Sequence, residues 1–296
     1  MPEADRIMRL AFGTFLGLPD PMAFMGDRNF MAPRFRAKHV KVLGARLDAR
    51  LIGVVAATRW GAFGFFGPLV VLPEFWDKGV AQRLLEPTTK LFDRWGVRYS
   101  GLFTFAHSAK HVGLYQKFGY WPTYLTALMT YTPDAAPQTA LPTVLSNLPR
   151  QQREQAIVAC AQLTNRIDKG LDLTEEIRTV LTQRTGDVVL IFTRATLEGF
   201  AICVHGAGSE AGTRTCYVKF GAARNDNSFD RLLAACEAFA GSHGVNLEAG
   251  VNFARENAYR RMKARGYRTM TQGVAMLRPH VAGFNRTNAY VIDDWR

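Results

Sequence analysis

The stretch from Leu69 to Leu85, Leu-Val-Val-Leu-Pro-Glu-Phe-Trp-Asp-Lys-Gly-Val-Ala-Gln-Arg-Leu-Leu, admits few local folds. Leu69–Leu72 is an unbroken apolar run, as a buried strand requires. Pro73 stops it, and Asp77-Lys78-Gly79 turns the chain, with Gly79 free to take backbone angles that other residues avoid. Beyond the turn Val80, Leu84, Leu91, Phe92 and Trp95 recur at helical spacing. A helix N-terminus leaves backbone N–H groups unpaired and carries partial positive charge. Gly79 and Ala81 are small enough for an anion to approach those groups, so the spacing predicts a phosphate cradle. The Gly-Lys-Ser/Thr ending of the nucleotide-hydrolysing P-loop is missing.

A second stretch follows from His107: His-Ser-Ala-Lys-His-Val-Gly-Leu-Tyr115-Gln-Lys-Phe-Gly119-Tyr120. Together the two resemble the signature of the GNAT acetyltransferase superfamily. Leu69, Val71 and Pro73 stand in its Leu-x-Val-x-Pro strand, and Gly79-Val-Ala81 in its Gly-x-Gly/Ala turn. Leu114-Tyr115-x-x-x-Gly119-Tyr120 matches its closing motif. Trp76 replaces the usual Gln or Arg, and Ser108 and His111 replace the usual Asn and Ala. The resemblance covers residues 38–131 well and 150–278 weakly.

The resemblance implies a donor, acetyl-CoA, and a site. Leu69, Val70 and Val71 would hold the pantetheine arm along a bulged strand, and Lys78, Gly79, Val80, Ala81, Gln82 and Arg83 the pyrophosphate. Backbone N–H groups near Val70 and Val71 would meet the developing oxyanion. Tyr115, by spacing alone a core aromatic, stands at the family's acid position and would protonate the departing thiolate. Ser108 either hydrogen-bonds the pantetheine or caps the helix starting at Ala109, capping being the expected role. For the base, His107 is ranked slightly ahead of His111, with Glu74 also close in sequence.

The chain has 296 residues, long for one domain and suited to two. Its 48% apolar residues suffice for ordinary cores. Cys160, Cys203, Cys216 and Cys236 form no Cys-x-x-Cys pair, so reduced cytoplasmic thiols are expected, with no disulfide framework and no metal. No apolar run reaches the ~18 residues of a membrane span, and the N-terminus lacks the basic start of a signal peptide. The net charge of +12 has no compact Lys/Arg run behind it, so specific nucleic-acid binding is not expected.

In order, residues 3–17 read as an amphipathic helix and 18–35 as a packed loop or substrate lid. Val40–Leu47 and Leu51–Thr58 read as a hairpin, Tyr99–Phe105 as a strand, Ala109–Phe118 as a helix and Leu125–Tyr131 as a closing strand. Pro87 should kink or restart the helix after the glycine turn. Residues 132–149, with Pro133, Pro137, Pro142 and Pro149, read as a linker. The second half repeats the layout of the first. Aligning Gly266 with Gly119 brings Leu232-Leu233 within a residue of Leu84-Leu85 and puts Met262 in the place of Tyr115. Residues 221–228 spell Gly-x-Ala as Gly221-Ala222-Ala223 but are read as lacking the phosphate turn.

The expected architecture is therefore mixed α/β: two GNAT-like domains, each a mixed, mostly antiparallel sheet flanked by helices. Residues 1–131 would bind the cofactor and react, 150–280 would be a degenerate second copy, and 281–296 a packed tail, too apolar to be free. The expected activity is an acetyl-CoA-dependent N-acetyltransferase acting by direct attack of a small-molecule amine. Two other classes stay open: an aminoacyl-tRNA-dependent transferase and a non-catalytic coenzyme A sensor. The preserved glycine turn argues against the first and Tyr115 against the second. No membrane is expected, and either a monomer or a homodimer.

Overall fold

The computed structural model describes residues 2–133 and 141–296, so the middle of the expected linker, 134–140, lies outside the described residues. The first half runs α1 (Pro2–Phe15), α2 (Met31–Arg36), β1 (Val40–Leu47), β2 (Arg50–Trp60), β3 (Phe63–Val71), α3 (Val80–Trp95), β4 (Tyr99–Thr104), α4 (Ala109–Gln116) and β5 (Trp121–Tyr131). The second runs α5 (Arg150–Ile167), α6 (Thr174–Gln183), β6 (Gly186–Thr193), β7 (Thr196–Gly206), β8 (Gly212–Ala223), α7 (Asp226–Ser242), β9 (Asn246–Asn252), α8 (Glu256–Ala264), β10 (Arg268–Arg278) and β11 (Tyr290–Ile292). Carrying the alignment of Gly119 with Gly266 along the chain sets the first residues of β4, α4 and β5 on those of β9, α8 and β10.

A mixed, mostly antiparallel sheet flanked by helices is present, but the halves share it. Among the described residues eleven strands form one sheet, in the order β1-β2-β3-β4-β10-β5-β9-β8-β7-β6, with β11 on β8. The closing strands are exchanged: β10 of the second half pairs with β4 of the first, and β5 of the first with β9 of the second. Alternating apolar residues let each closing strand bury one face wherever a partner lies, so sequence alone does not choose between them. β5 begins four residues before the expected strand because Trp121 and Pro122 pair with Leu277 and Met276. α3 runs through Pro87 without restarting, since Leu84, Leu85, Thr88, Thr89, Leu91 and Phe92 are all buried and their packing outweighs one lost backbone bond. Past the undescribed segment, Val144 bridges Val189 and Leu190 N–H donates to Thr143, so that end of the expected linker edges β6.

The two faces of the first half are packed separately. α1 covers Val54, Val70 and Leu72 through Ala4, Ile7, Met8 and Ala11. α3 and α4 cover Val55, Ala57 and Val71 on the opposite face through Val80, Leu84, Leu85 and Tyr115. A core common to both halves joins Trp60, Phe63 and Phe65 to Ile177, Phe200 and Phe220.

A buried charge network stitches this core. Glu176 accepts from Trp60 Nε1 at 3.0 Å, pairs with His39 Nε2 at 2.9 Å and with Lys219 Nζ at 2.9 Å. Lys219 also pairs with Glu210 at 2.9 Å, and Glu210 takes the Arg34 guanidinium with both oxygens. Burial pushes the Glu176 carboxyl up, and Lys219 and His39 more than reverse this, holding it well below the usual carboxylate range. Burial raises Glu210 too, and Arg34 and Lys219 bring it below its ordinary value. Depressed folded values contribute stability above the unfolded carboxylate pKa of about 4.3, and that stability is lost as pH falls below it.

The last residues are threaded into the second half. β11 lies antiparallel to β8, with Ile292 opposite Gly221, and Asp293 N–H donates to Gly250 of β9 at 3.0 Å. β8 and β9 pair directly only over Thr215–Val218 and Asn246–Ala249, so β11 fills the gap where they part. Buried Arg255 holds it, donating to Asn285, to the Val291 carbonyl and to Asp293.

Removing one partner of a buried ion pair leaves the other uncompensated, so Lys219→Met is expected to cost about 3–5 kcal/mol in urea unfolding. It should also move the acid-unfolding midpoint to higher pH, because Glu176 and Glu210 lose the cation they share and each keeps only one other basic partner to hold it ionised. Unchanged urea and acid midpoints would mean that the network carries no net stability.

Candidate active site

β3 and β4 run parallel only from Phe63–Phe65 against Tyr99–Gly101, and then part. On its other side β3 stays on β2, where Gly67 and Pro68 together face Ala56 in a bulge. Leu72 N–H donates to Ile52 on β2, so alternation makes Val70 and Val54 a hydrogen-bonded pair and turns the backbone of Leu69 and Val71 toward the gap. The Val71 carbonyl accepts Trp76 Nε1 at 2.7 Å. Trp76, the residue that departs from the family pattern, thus ties down the strand end.

At the mouth of the gap, Asp77 and Gly79 both take left-handed backbone angles, φ 62° and 75°. A Cβ on Gly79 would meet nothing within 4 Å, so the space in front of the α3 N-terminus is open. No side chain caps that N-terminus. Arg83 N–H bonds back to the Gly79 carbonyl, which leaves the N–H groups of Val80, Ala81 and Gln82 as the orphan donors of the first turn. This cradle fits the pyrophosphate of an acyl-CoA.

A cavity of about 600 Å³ runs from this mouth through the gap. Leu69, Val70, Val71, Gly79, Val80, Ala81, Gln82 and Tyr115 line it, whereas Lys78, Arg83, His107, Ser108 and Glu74 do not. Lys78 instead lies over the Phe75 ring, 5.3 Å from its centroid, and exposed Glu74 is paired with Arg50. On the α1 side the walls are Ala11, Phe12, Phe15 and Phe105, with His111 from α4. From sequence Ala11 and Phe15 read as part of the apolar face of α1, and Phe12 and Phe105 were not singled out. The signal on α1 was the i, i+3 spacing of Phe12 and Phe15, which reads equally as core.

Tyr115 is buried on α4, its ring 5.7 Å from that of Phe66. Burial pushes its phenol up to about 12, with the Thr104 hydroxyl pulling the other way. His111 is the histidine at the cavity. Its Nδ1 lies 2.6 Å from Ser108 Oγ, and burial, then the charges of Lys110 and His107, lowers its pKa. His107 is exposed and lies against Phe15 and Phe105 outside the wall. Ser108 makes no side-chain cap to α4, contrary to expectation, because its hydroxyl is engaged by His111 one turn on. Among the described residues no cluster of His, Cys, Asp or Glu could hold a metal ion, and no helix is long and apolar enough to cross a membrane.

A mixed sheet split by such a slot, with a glycine turn and a helix N-terminus at its mouth, offers an anion site continuous with a path across the sheet. Residues 6–120 match the model of the acetyltransferase (GNAT) family, and over that stretch the chain carries a GNAT acetyltransferase domain. No curated protein is significantly similar in sequence. A Pyrococcus horikoshii structure described as an acetyltransferase superposes over 99% of this chain and 91% of its own, with TM-score 0.70 and 14% identity. An Enterococcus faecalis protein described as an N-acyltransferase does so over 94% and 69%, with TM-score 0.53 and 15% identity. A GCN5-related N-acetyltransferase of Sphaerobacter thermophilus covers 78% of each chain, with TM-score 0.52 and 15% identity. At these identities the likeness is one of fold.

The raised phenol of Tyr115 stays protonated, and so able to donate, through neutral and mildly alkaline pH. The difference between alkaline absorbance titrations of the wild type and Tyr115→Phe is expected to place its transition at about 12. A transition near the ordinary tyrosine value of about 10 would show a solvated phenol.

Proposed function

We propose that the chain is an acetyl-CoA-dependent N-acetyltransferase for a small-molecule amine, with its one reactive site in the first half. The observation that carries this reading is the open glycine turn before α3, continuous with a slot that crosses the sheet. The turn's free N–H groups suit a pyrophosphate, and the slot suits a pantetheine arm. The same turn favours an acyl-CoA over an aminoacyl-tRNA as donor.

Acyl transfer from a thioester needs a neutral amine, donors for the carbonyl oxygen and a proton for the departing sulfur. His111, kept neutral at pH 7 by its lowered pKa and held by Ser108, takes the proton from the amine. It is favoured over His107 because it lines the cavity. The N–H of Val71 faces the slot and is placed for the oxygen's developing charge. Tyr115 gives its proton to the sulfur.

The second half is read as a copy without chemistry. Asn225 caps α7 with its own side chain, accepting from Ser228 N–H at 2.9 Å, where the first half leaves its cradle open. Met262 stands in the place of Tyr115, and β11 occupies the gap between β8 and β9. Its work is to brace the loop over the acceptor side of the slot. Arg28 pairs with Glu248 at 2.5 Å, Asp27 accepts from Thr213, and Asn29 N–H donates to Ser209.

A β-branched residue at Gly79 is strained by about 1–3 kcal/mol and crowds the cradle. Calorimetric titration should therefore find one acetyl-CoA per wild-type chain, and for Gly79→Val at least a roughly tenfold weaker affinity with the fold intact by circular dichroism. Equal affinity, or two molecules per chain, would overturn the assignment. Tyr115→Phe is expected to lower kcat by roughly ten- to a hundredfold with little change in donor affinity. Full turnover in that variant would leave Tyr115 a packing role only.

A further inference from the structure

The α1 side of the slot has a composition that selects among amines. Phe15 lies 5.0 Å from Phe105 and 4.9 Å, edge-on, from His111, and Phe12 lies 6.3 Å from Phe105, all centroid to centroid. Phe12 stacks on Phe24 of the following loop at 5.2 Å. All four phenyl rings are half-buried, so each keeps surface to offer. Just beyond them the chain exposes Leu16, Leu18 and Met22 at 44%, 37% and 41%.

The charges of the wall point the same way. Asp77 is the one carboxylate among the described residues that line the cavity, and it sits in the turn before α3, already paired with Lys110 at 2.7 Å. The other charged lining groups, Lys110 and Lys117, are cations. A polyamine or a basic amino acid carries a second positive centre, which would find no free carboxylate here and would meet like charge instead. A single ammonium on an aromatic body needs none: ring faces accept the cation, and tilted rings accept the body.

We infer that the acceptor is a monoamine carried on an aromatic ring, packed against the cavity-facing sides of Phe12, Phe15 and Phe105 with its nitrogen toward His111. This rests on the acyltransferase reading above. His111, neutral and flanked by Phe15, takes the ammonium proton once the ring is seated and passes it to solvent. The freed nitrogen lone pair then forms the new C–N bond as the thioester C–S bond breaks, and the nitrogen's second proton, lost to His111, makes good through solvent the one that Tyr115 gives up. The sulfur leaves with the proton of Tyr115.

The test uses the full chain with coenzyme A bound, titrated calorimetrically with 2-phenylethylamine, putrescine and lysine, alongside thiol release from acetyl-CoA with the same amines. Phenylethylamine is expected to bind at least about tenfold more tightly than the other two. Phe15→Ala and Phe105→Ala should each weaken it roughly three- to tenfold while acetyl-CoA affinity holds, and Phe15→Trp should retain it. Putrescine or lysine binding as tightly as phenylethylamine would overturn the inference. So would octanoyl-CoA binding more tightly than acetyl-CoA in the wild type but not in Phe15→Ala, since the rings would then hold the acyl chain. Thiol release with putrescine alone would sink the aromatic acceptor and keep the transferase. Tight phenylethylamine binding with no thiol release from any amine would sink the transferase and keep the ring pocket.

Discussion

β3 and β4 lie side by side for three residue pairs and then part, and the site exists because of that parting. Had the pair continued, its backbone groups would have bonded one another and no path would cross the sheet. An unpaired buried backbone group costs about 1–3 kcal/mol, so the stranded groups of β3 need partners. Two carbonyls receive them from side chains: Gly67 from Arg34 and Val71 from Trp76. Both helpers are donors, so these two carbonyls are satisfied and the Val71 N–H is left free to face the gap.

The second half meets the same problem at β8 and β9 and meets it differently. There the gap is filled by the chain itself, with β11 bonded along β8 and Asp293 reaching β9. Arg34, which serves Gly67, also donates to the carbonyl of Arg296 beyond that strand. Trp295, between them in sequence, packs 5.0 Å from Phe63, at the base of the open slot. The filled gap and the open one are thus joined by a few residues of tail.

Much of the first-half site was legible because its parts are local. The apolar run, Gly79 and the helix that follows are contiguous, and a left-handed turn before an uncapped helix leaves few alternatives. Tyr115 was legible only through the pairing of two motifs. What was hidden is what distance brings together. Choosing between His107 and His111 requires knowing which of them lines the cavity, and Ser108 was assigned to the helix cap because its true partner competes for the same hydroxyl. The bond of Trp76 to Val71 looked like a defect in a motif. Phe12, Phe15 and Phe105 come from opposite ends of the first half, and no pattern within either segment separates a cavity wall from a core. The shared sheet was invisible for a like reason: period-two burial in β5 and β10 is satisfied by any neighbour.

The exchange of β5 and β10 also sets an order in time. As the chain leaves the ribosome, β1 to β5 appear first, yet the strand that completes the sheet beside β4 comes from residues 268–278. Until then β4 presents a bare edge, and β5 lacks both its neighbours, β9 and β10. Contacts so distant in sequence close slowly, and exposed strand edges pair with whatever is near. The two halves are repeats in layout but not modules in assembly: neither can be cut free with a finished sheet, and β10, a strand made late, is the one that makes the first half whole.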